Sequence, residues 1–387
     1  MGTKFILGQE DGTVAGGNAR GTNAVDLQTS RTANTQVASG NNSVVCGGAN
    51  NSALGVGDFV GGGANNSTSV NLDNYKTIVG GAGNTITGGA GHSFIGGGQL
   101  NNINIGSGTG ASTISGGRSN SVTSQYSTVS GGYLNTVSSS YSTVLGGESN
   151  TASTNTHATV VGGSTNTASG QYSVAGGYVC TASGTGAVAF GGGATATGTY
   201  SLATGINTFA SGSFSQSFGL WTEAYLYGQT ARSSGRFNSQ SDAQNSLLTA
   251  RREATLTTGG TTVLSLDGTG ITNLIIPSAT NRMWNVQVRW VAVVTTITGT
   301  ATGVTVGDTK SQNIEIGFKK VGGVSSLVGA GVFSTAQQDA SMASASLIPT
   351  AGASQQLALT FTAPTFAGGG SVTCRVVAKV ELVEVAY

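Results

Sequence analysis

SQYSTVSGGYLNT (residues 124–136), SSYSTVLGGESNT (139–151) and NTHATVVGGSTNT (155–167) are three copies of one phrase. The Gly-Gly pair sets their register, and its first glycine falls at Gly47, Gly62, Gly80, Gly97, Gly116, Gly131, Gly146, Gly162, Gly176 and Gly191. Single glycines at Gly205 and Gly219 carry the rhythm on. The intervals are 15, 18, 17, 19, 15, 15, 16, 14, 15, 14 and 14 residues. Self-similarity at so short a period predicts a solenoid in which each repeat is one coil.

Two columns support the register. Val45, Val60, Ile78, Ile95, Ile114, Val129, Val144, Val160 and Val174 stand two residues before each pair, and β-branched residues of this kind pack well on a pleated surface. Asn51, Asn66, Asn84, Asn101, Asn120, Asn135, Asn150 and Asn166 stand four residues after its first glycine. Asn tolerates left-handed dihedrals and bonds its own backbone, so this column is expected to mark a turn. A smaller column runs Ala53, Thr68, Ile86, Ile103, Val122, Val137, Ala152, Ala168, Ala182. The predicted coil is strand, Gly-Gly corner, Asn turn, second short strand, corner.

A coil of about 15 residues encloses little, and a single thin stack would leave an apolar face in water. The sequence therefore predicts a homo-oligomer of cyclic symmetry. The stretch AVAFGGGATATGTYSLATGINTFASGSFSQSFG (187–219) resembles the head of trimeric autotransporter adhesins, with Ser201, Ala203, Gly205, Ala210, Gly212, Ser215 and Gly219 on the family pattern. That resemblance implies a left-handed parallel β-roll of three chains; the spacing itself carries no handedness.

Working outward, residues 1–43 have glycine punctuation but no clean register and read as an irregular lead-in or attachment segment. Residues 44–219 are the shaft. Its early coils are stretched, with extra residues near Val70–Tyr75, Thr87–His92 and Ile103–Gly110, expected to bulge on one side. Repeat proteins often bind through such insertions, although a packing embellishment is the simpler reading. Residues 220–254, with Trp221, Tyr225, Tyr227 and four Arg, lack a helical or strand period and read as a neck capping the solenoid. Residues 255–387 read as alternating strands. Trp284, Val286, Val288 and Trp290 share one face, and Met283, Asn285, Gln287 and Arg289 the other. Further strands are predicted at Val263–Leu266, Ile271–Ile276, Asn313–Phe318, Ser326–Phe333, Gln356–Phe361 and Val372–Val385. Pro277, Pro349 and Pro364 fall between these runs, where proline belongs. The expectation is an antiparallel β-sandwich of roughly eight strands, jelly-roll-like.

Composition bounds the function. With 64 Gly but only 3 Pro among 387 residues and no G-X-Y period, collagen is excluded. A net charge of +1 gives no long-range steering towards nucleic acid or an anionic membrane. MGTKFILGQEDGTV lacks the basic and apolar regions of a signal peptide, and no apolar run reaches membrane-spanning length.

No constellation calls for catalysis. Asp58, Asp73 and Glu148 are the only acids between Val44 and Gly219, each in a different coil. Glycan cleavage needs two carboxylates about 5–10 Å apart, leaving only an acid cluster formed across chains. His92 and His157 could meet their copies at a trimer axis as a metal site, but surface turn histidines are the simpler reading. Cys46, Cys180 and Cys374 lack metal-ligand spacing and read as buried free thiols. The Gly-Gly pairs lack the Lys of a phosphate loop and are corners. No catalytic, cofactor or metal residue is nominated, and no receptor residue.

Read whole, the chain resembles bacteriophage and prophage tail-fibre proteins. The likeness rests on NARGTNAVDLQTSR (18–31), TQVASG (35–40), the Gly-Gly-x-x-Asn repeats and YGQTARSSGRF (227–237). It extends through LDGTGITNLIIPSATNRMWNVQVRWVAVVT (266–295) and VTCRVVAKVELVEV (372–385). The resemblance implies a non-catalytic homotrimer in the virion, assembled in the host cytoplasm. It would join a tail or baseplate protein and bind a bacterial surface polysaccharide or protein through its last β-domain. A bacterial trimeric adhesin and a glycan-degrading tailspike are the alternatives.

Overall fold

The computed structural model describes residues 12–14, 17–69, 74–106, 110–236, 243–269, 274–275, 281–321, 324–351 and 356–386. Their secondary structure is all β apart from one 3-10 turn, Ala340–Met342. No helix among them is long and apolar enough to cross a membrane. The chain divides into two compact units, Met1–Gly193 and Ala194–Tyr387.

The first unit is a parallel β-solenoid. Each coil gives one short strand to each of two parallel sheets. The first sheet runs from Val25–Asp26 to Val188–Gly192. The second runs from Ser67–Thr68 to Thr181–Ala182. The coil around Gly131 shows the construction. Thr128–Val129 turns Val129 inward and Thr128 outward, and Thr136–Val137 does the same with Val137 and Thr136. Gly131 and Gly132 form the corner at φ 153° and 89°, which a side chain would not tolerate. A Cβ on Gly132 would stand 2.2 Å from the Gly147 carbonyl of the next coil, and backbone cannot step aside.

The asparagines do something other than the expected left-handed turn. The left-handed residue precedes each of them, as in Leu134 (φ 55°) and Ser149 (φ 55°), while the Asn side chain points into the coil and is buried. Asn135 Nδ2 donates to Gly131 O and to Gly147 O one coil on, both at 2.9 Å. Its Oδ1 accepts the Asn150 N–H at 3.0 Å, and its own N–H donates to Asn120 Oδ1. The column is thus an amide ladder that satisfies corner carbonyls which a 15-residue coil leaves facing inward. Gln28 closes the near end, its Oε1 accepting the Asn51 N–H at 2.8 Å. Cys180 replaces Asn at the far end, its N–H donating to Asn166 Oδ1 and its thiol lying 3.2 Å from Gly191 O.

Other expectations shift by small amounts. The β-branched column ends at Val160: the inward residue of the next coil is Ala175, not Val174, because the pairing slips a residue between Val160 and Gly162. From there the coil shortens and its strand lengthens, as in Val174–Tyr178. The first coil strand, Val25–Asp26, lies inside the stretch 1–43 that had no readable register, and pairs with Val44–Val45. There buried Asp26 takes Arg20 Nε at 3.3 Å and Arg31 Nη2 at 3.0 Å. Two of the insertions lengthen the second strand, Thr85–Gly88 and Asn102–Ile105, which pair in register. Residues 70–73, within the first expected bulge, and 107–109, within the third, lie outside the described residues.

The second unit opens with coils of the shorter type. Leu202–Ile206, Gln216–Leu220 and Thr230–Ser234 pair in parallel, with Ala203, Ser217 and Ala231 buried. Ser201, Ala210 and Ser215 of the adhesin-like pattern are buried as well. The residues read as a neck hold two coil strands, Glu223–Ala224 and Thr230–Ser234, and then a long strand, Ala243–Leu256. Its alternation was masked because the inward positions begin with the polar Gln244 and Ser246 before Leu248 and Ala250.

Two unequal antiparallel sheets complete this unit. In the larger, Ala243–Leu256, Gly370–Ala386, Arg282–Gly299 and Thr309–Val321 pair in that order, with Val324–Phe333 beyond. In the smaller, Gln356–Thr362 lies between Ser346–Ala351 and the short strands Thr261–Val263 and Leu274–Ile275. Trp284, Val286, Val288 and Trp290 are buried on one face of Arg282–Gly299, as alternation requires, and Trp290 meets Phe361 of the smaller sheet edge to face at 6.1 Å. Pro349 does not lie between strands: it pairs with Leu359 within Ser346–Ala351. Among the described residues that strand is paired on one side only, the edge position at which a sheet tolerates proline. Residues 271–273, Ile276 and Pro277 lie outside the described residues.

Candidate functional site

The residues weighed for chemistry are spread out and structurally engaged. Asp58 is fully buried; its carboxylate accepts the N–H groups of Gly55 and Lys76, both at 2.9 Å, and clamps a corner. Glu148 stands on an exposed corner column between Tyr133 and Ser164, and Asp73 lies outside the described residues. Among the described residues no three or more His, Cys, Asp or Glu are grouped to hold a metal ion.

Both histidines are turn residues, at φ 57° for His92 and 63° for His157. Each stacks in a ladder of rings. Tyr75 lies 5.5 Å from His92, and Tyr126, Tyr141, His157 and Tyr172 follow one another at 5.2, 5.2 and 5.0 Å. Left-handed dihedrals cost a bulky residue on the order of 1–2 kcal/mol. Each ring contact returns about 0.5–1.5 kcal/mol, so the ladder roughly offsets its own strain.

The thiols divide. Cys180 and Cys374 are buried, but Cys46 is exposed on the outer side of the first sheet. The buried reading fails there because Cys46 follows the inward Val45 and so points outward. Burial pushes the Cys374 thiol up to about 11, which removes the reactive thiolate at neutral pH. A maleimide is therefore expected to leave Cys180 and Cys374 unmodified in the native protein and to reach them after denaturation. Native labelling of Cys374, read by peptide mass, would contradict its placement.

The two outer faces of the first unit differ in chemistry. On the second sheet, every outward pair from Ser67 and Ser69 to Thr181 and Ser183 is Ser, Thr or Asn. On the first sheet the outward columns are uncharged and partly apolar, with Val79, Phe94, Leu145 and Val161 exposed. Exposed apolar residues in register, rather than scattered singly, mark an interaction surface.

The second unit holds a cavity of about 340 Å³ on the outer face of its larger sheet. Arg251 and Glu253 on one strand, Arg375 and Val377 on the next and the turn Asp267–Thr269 form its walls. Arg375 Nε donates to Glu253 at 2.5 Å. The sequence reading missed this site: its strand Ala243–Leu256 was unread, and Arg375 lies opposite Glu253 only once that strand is paired.

No family model matches the chain, and no curated protein matches it. Among solved structures, the Acinetobacter phage vB_ApiP_P1 tailspike protein aligns over 94% of this chain and 81% of its own, at 10% identity and a TM-score of 0.25.

Proposed function

We propose that the chain is a tail-fibre-type receptor-binding protein of a bacteriophage, non-catalytic and homotrimeric. Its coils form a left-handed β-roll shaft, and its C-terminal β-sandwich contacts the bacterial surface. It is a virion component, made in the host cytoplasm and joined to a tail or baseplate protein. The observation that carries the reading is the uncharged, partly apolar outer face of the first sheet. Identical chains around an axis bring each residue close to its own copies, so an axial face must carry no charge and gains from apolar columns. The ligand-sized cavity on the sandwich supports a binding role for that unit.

Light scattering of the full chain is expected to give three times 38.2 kDa. A short bis-maleimide should join two copies through Cys46, and C46S should abolish the product. Labelled protein should adsorb to whole cells of its host without releasing reducing sugar from their envelope. A monomeric mass would refute the trimer; sugar release would favour the degrading tailspike.

A further inference from the structure

We infer that the cavity walled by Arg251, Glu253, Asp267, Thr269, Arg375 and Val377 binds a carboxylate-bearing sugar of the uronic or sialic acid type. This rests on the attachment reading above and gives it a ligand. One guanidinium on the cavity face is not matched to a carboxylate. Asp267 is already engaged, its carboxylate accepting Ser265 Oγ at 2.8 Å, Thr269 N at 2.9 Å and Thr269 Oγ1 at 2.8 Å. Glu253 is held by Arg375. Arg251 has only a neutral partner, its Nη2 donating to Asp267 O at 3.3 Å. The Arg251 guanidinium thus has no carboxylate partner among the described residues.

The shape narrows the ligand. Arg251 packs over Gly268, where an added Cβ would stand 2.9 Å from its Nε, so the glycine is what lets the turn accept the arginine. A guanidinium takes a planar carboxylate through two parallel hydrogen bonds. Val377 offers an apolar patch of the size of a sugar's C–H face, and Thr269 and Glu253 offer partners for hydroxyls. About 340 Å³ lies at the small end of ligand sites and suits one or two sugar rings. The Arg375–Glu253 pair is largely exposed and therefore weak, so a second carboxylate can compete for Arg375 at little cost.

The test uses the full chain and three probes: trigalacturonate, a glucuronate oligosaccharide and a sialyl-oligosaccharide. Fully methyl-esterified trigalacturonate is the neutral control. At least one acidic probe should bind, its ester should bind at least about tenfold more weakly, and the affinity should fall with salt. R251A should lose about tenfold or more with an unchanged melting temperature, R251K should recover part of it, and E253Q should bind the acid as well or better. No binding by any acidic probe, equal binding of acid and ester, or an R251A protein of full affinity would each overturn the inference. Adsorption to host cells is measured in parallel. Cell binding without acid-sugar binding defeats the pocket and spares the attachment reading. Acid-sugar binding without adsorption to any cell does the reverse.

Discussion

Asn135→Ala is expected to destabilise the first unit by roughly 3–5 kcal/mol and to lower its thermal midpoint sharply. The side chain is fully buried and its amide serves three backbone groups at once. Truncation leaves the Asn150 N–H and the Gly131 carbonyl without that partner, while the Gly147 carbonyl keeps only the Tyr133 N–H. Each buried orphan costs about 1–3 kcal/mol, which is how the total arises. Asn135→Asp is the sharper control. It keeps the acceptor for Asn150 N–H but sets a charge where Nδ2 donated to two carbonyls, so it should be as harmful as alanine or worse. Thermal melts followed by circular dichroism give both values. An alanine cost below about 1 kcal/mol would mean that the ladder is ornamental.

Trp290→Ala should cost the second unit about 3–5 kcal/mol, the usual range for removing a large buried aromatic. Trp290 is 1% exposed, on the inner face of a central strand, and packs edge-on against Phe361 of the opposing sheet. Its loss opens a cavity between two sheets that cannot close without breaking their pairing. Trp290→Phe should cost far less, because the indole Nε1 is buried without a hydrogen-bond partner and phenylalanine removes that donor. Denaturant unfolding of the full chain resolves the comparison. Equal costs for Ala and Phe would show that the indole N–H has a partner after all.

How much of this was legible depended on how often a signal repeats. The glycine and β-branched columns recur coil after coil, so strand positions and the inward face could be read from Val45 to Val160. The slip at Ala175 could not, because it changes the glycine interval only from 16 to 14 residues, within the spread of the other coils. The asparagines were located correctly and misassigned in role. A turn residue and an interior amide look alike in one dimension, and only the carbonyl of the next coil separates them. Alternation also served well at Trp284–Trp290 and failed at Ala243–Leu256, whose inner face starts with Gln244 and Ser246. Those polar residues are partnered there: Gln244 Nε2 reaches Glu384 at 3.2 Å, and Glu384 pairs with Arg282. The cavity around Arg251 was invisible for a simpler reason, since its walls lie more than a hundred residues apart in the chain.

The outer columns of the second parallel sheet, Ser, Thr or Asn from Ser67 to Ser183, bear on where such a protein can work. A surface wetted by ionised groups holds a cloud of counterions, and its solubility rises and falls with brine and acidity. Hydroxyl and amide groups neither titrate across the natural range nor gather ions. A face made of them keeps the same hydration in fresh water, seawater or gut fluid, and offers passing polyelectrolytes nothing to grip.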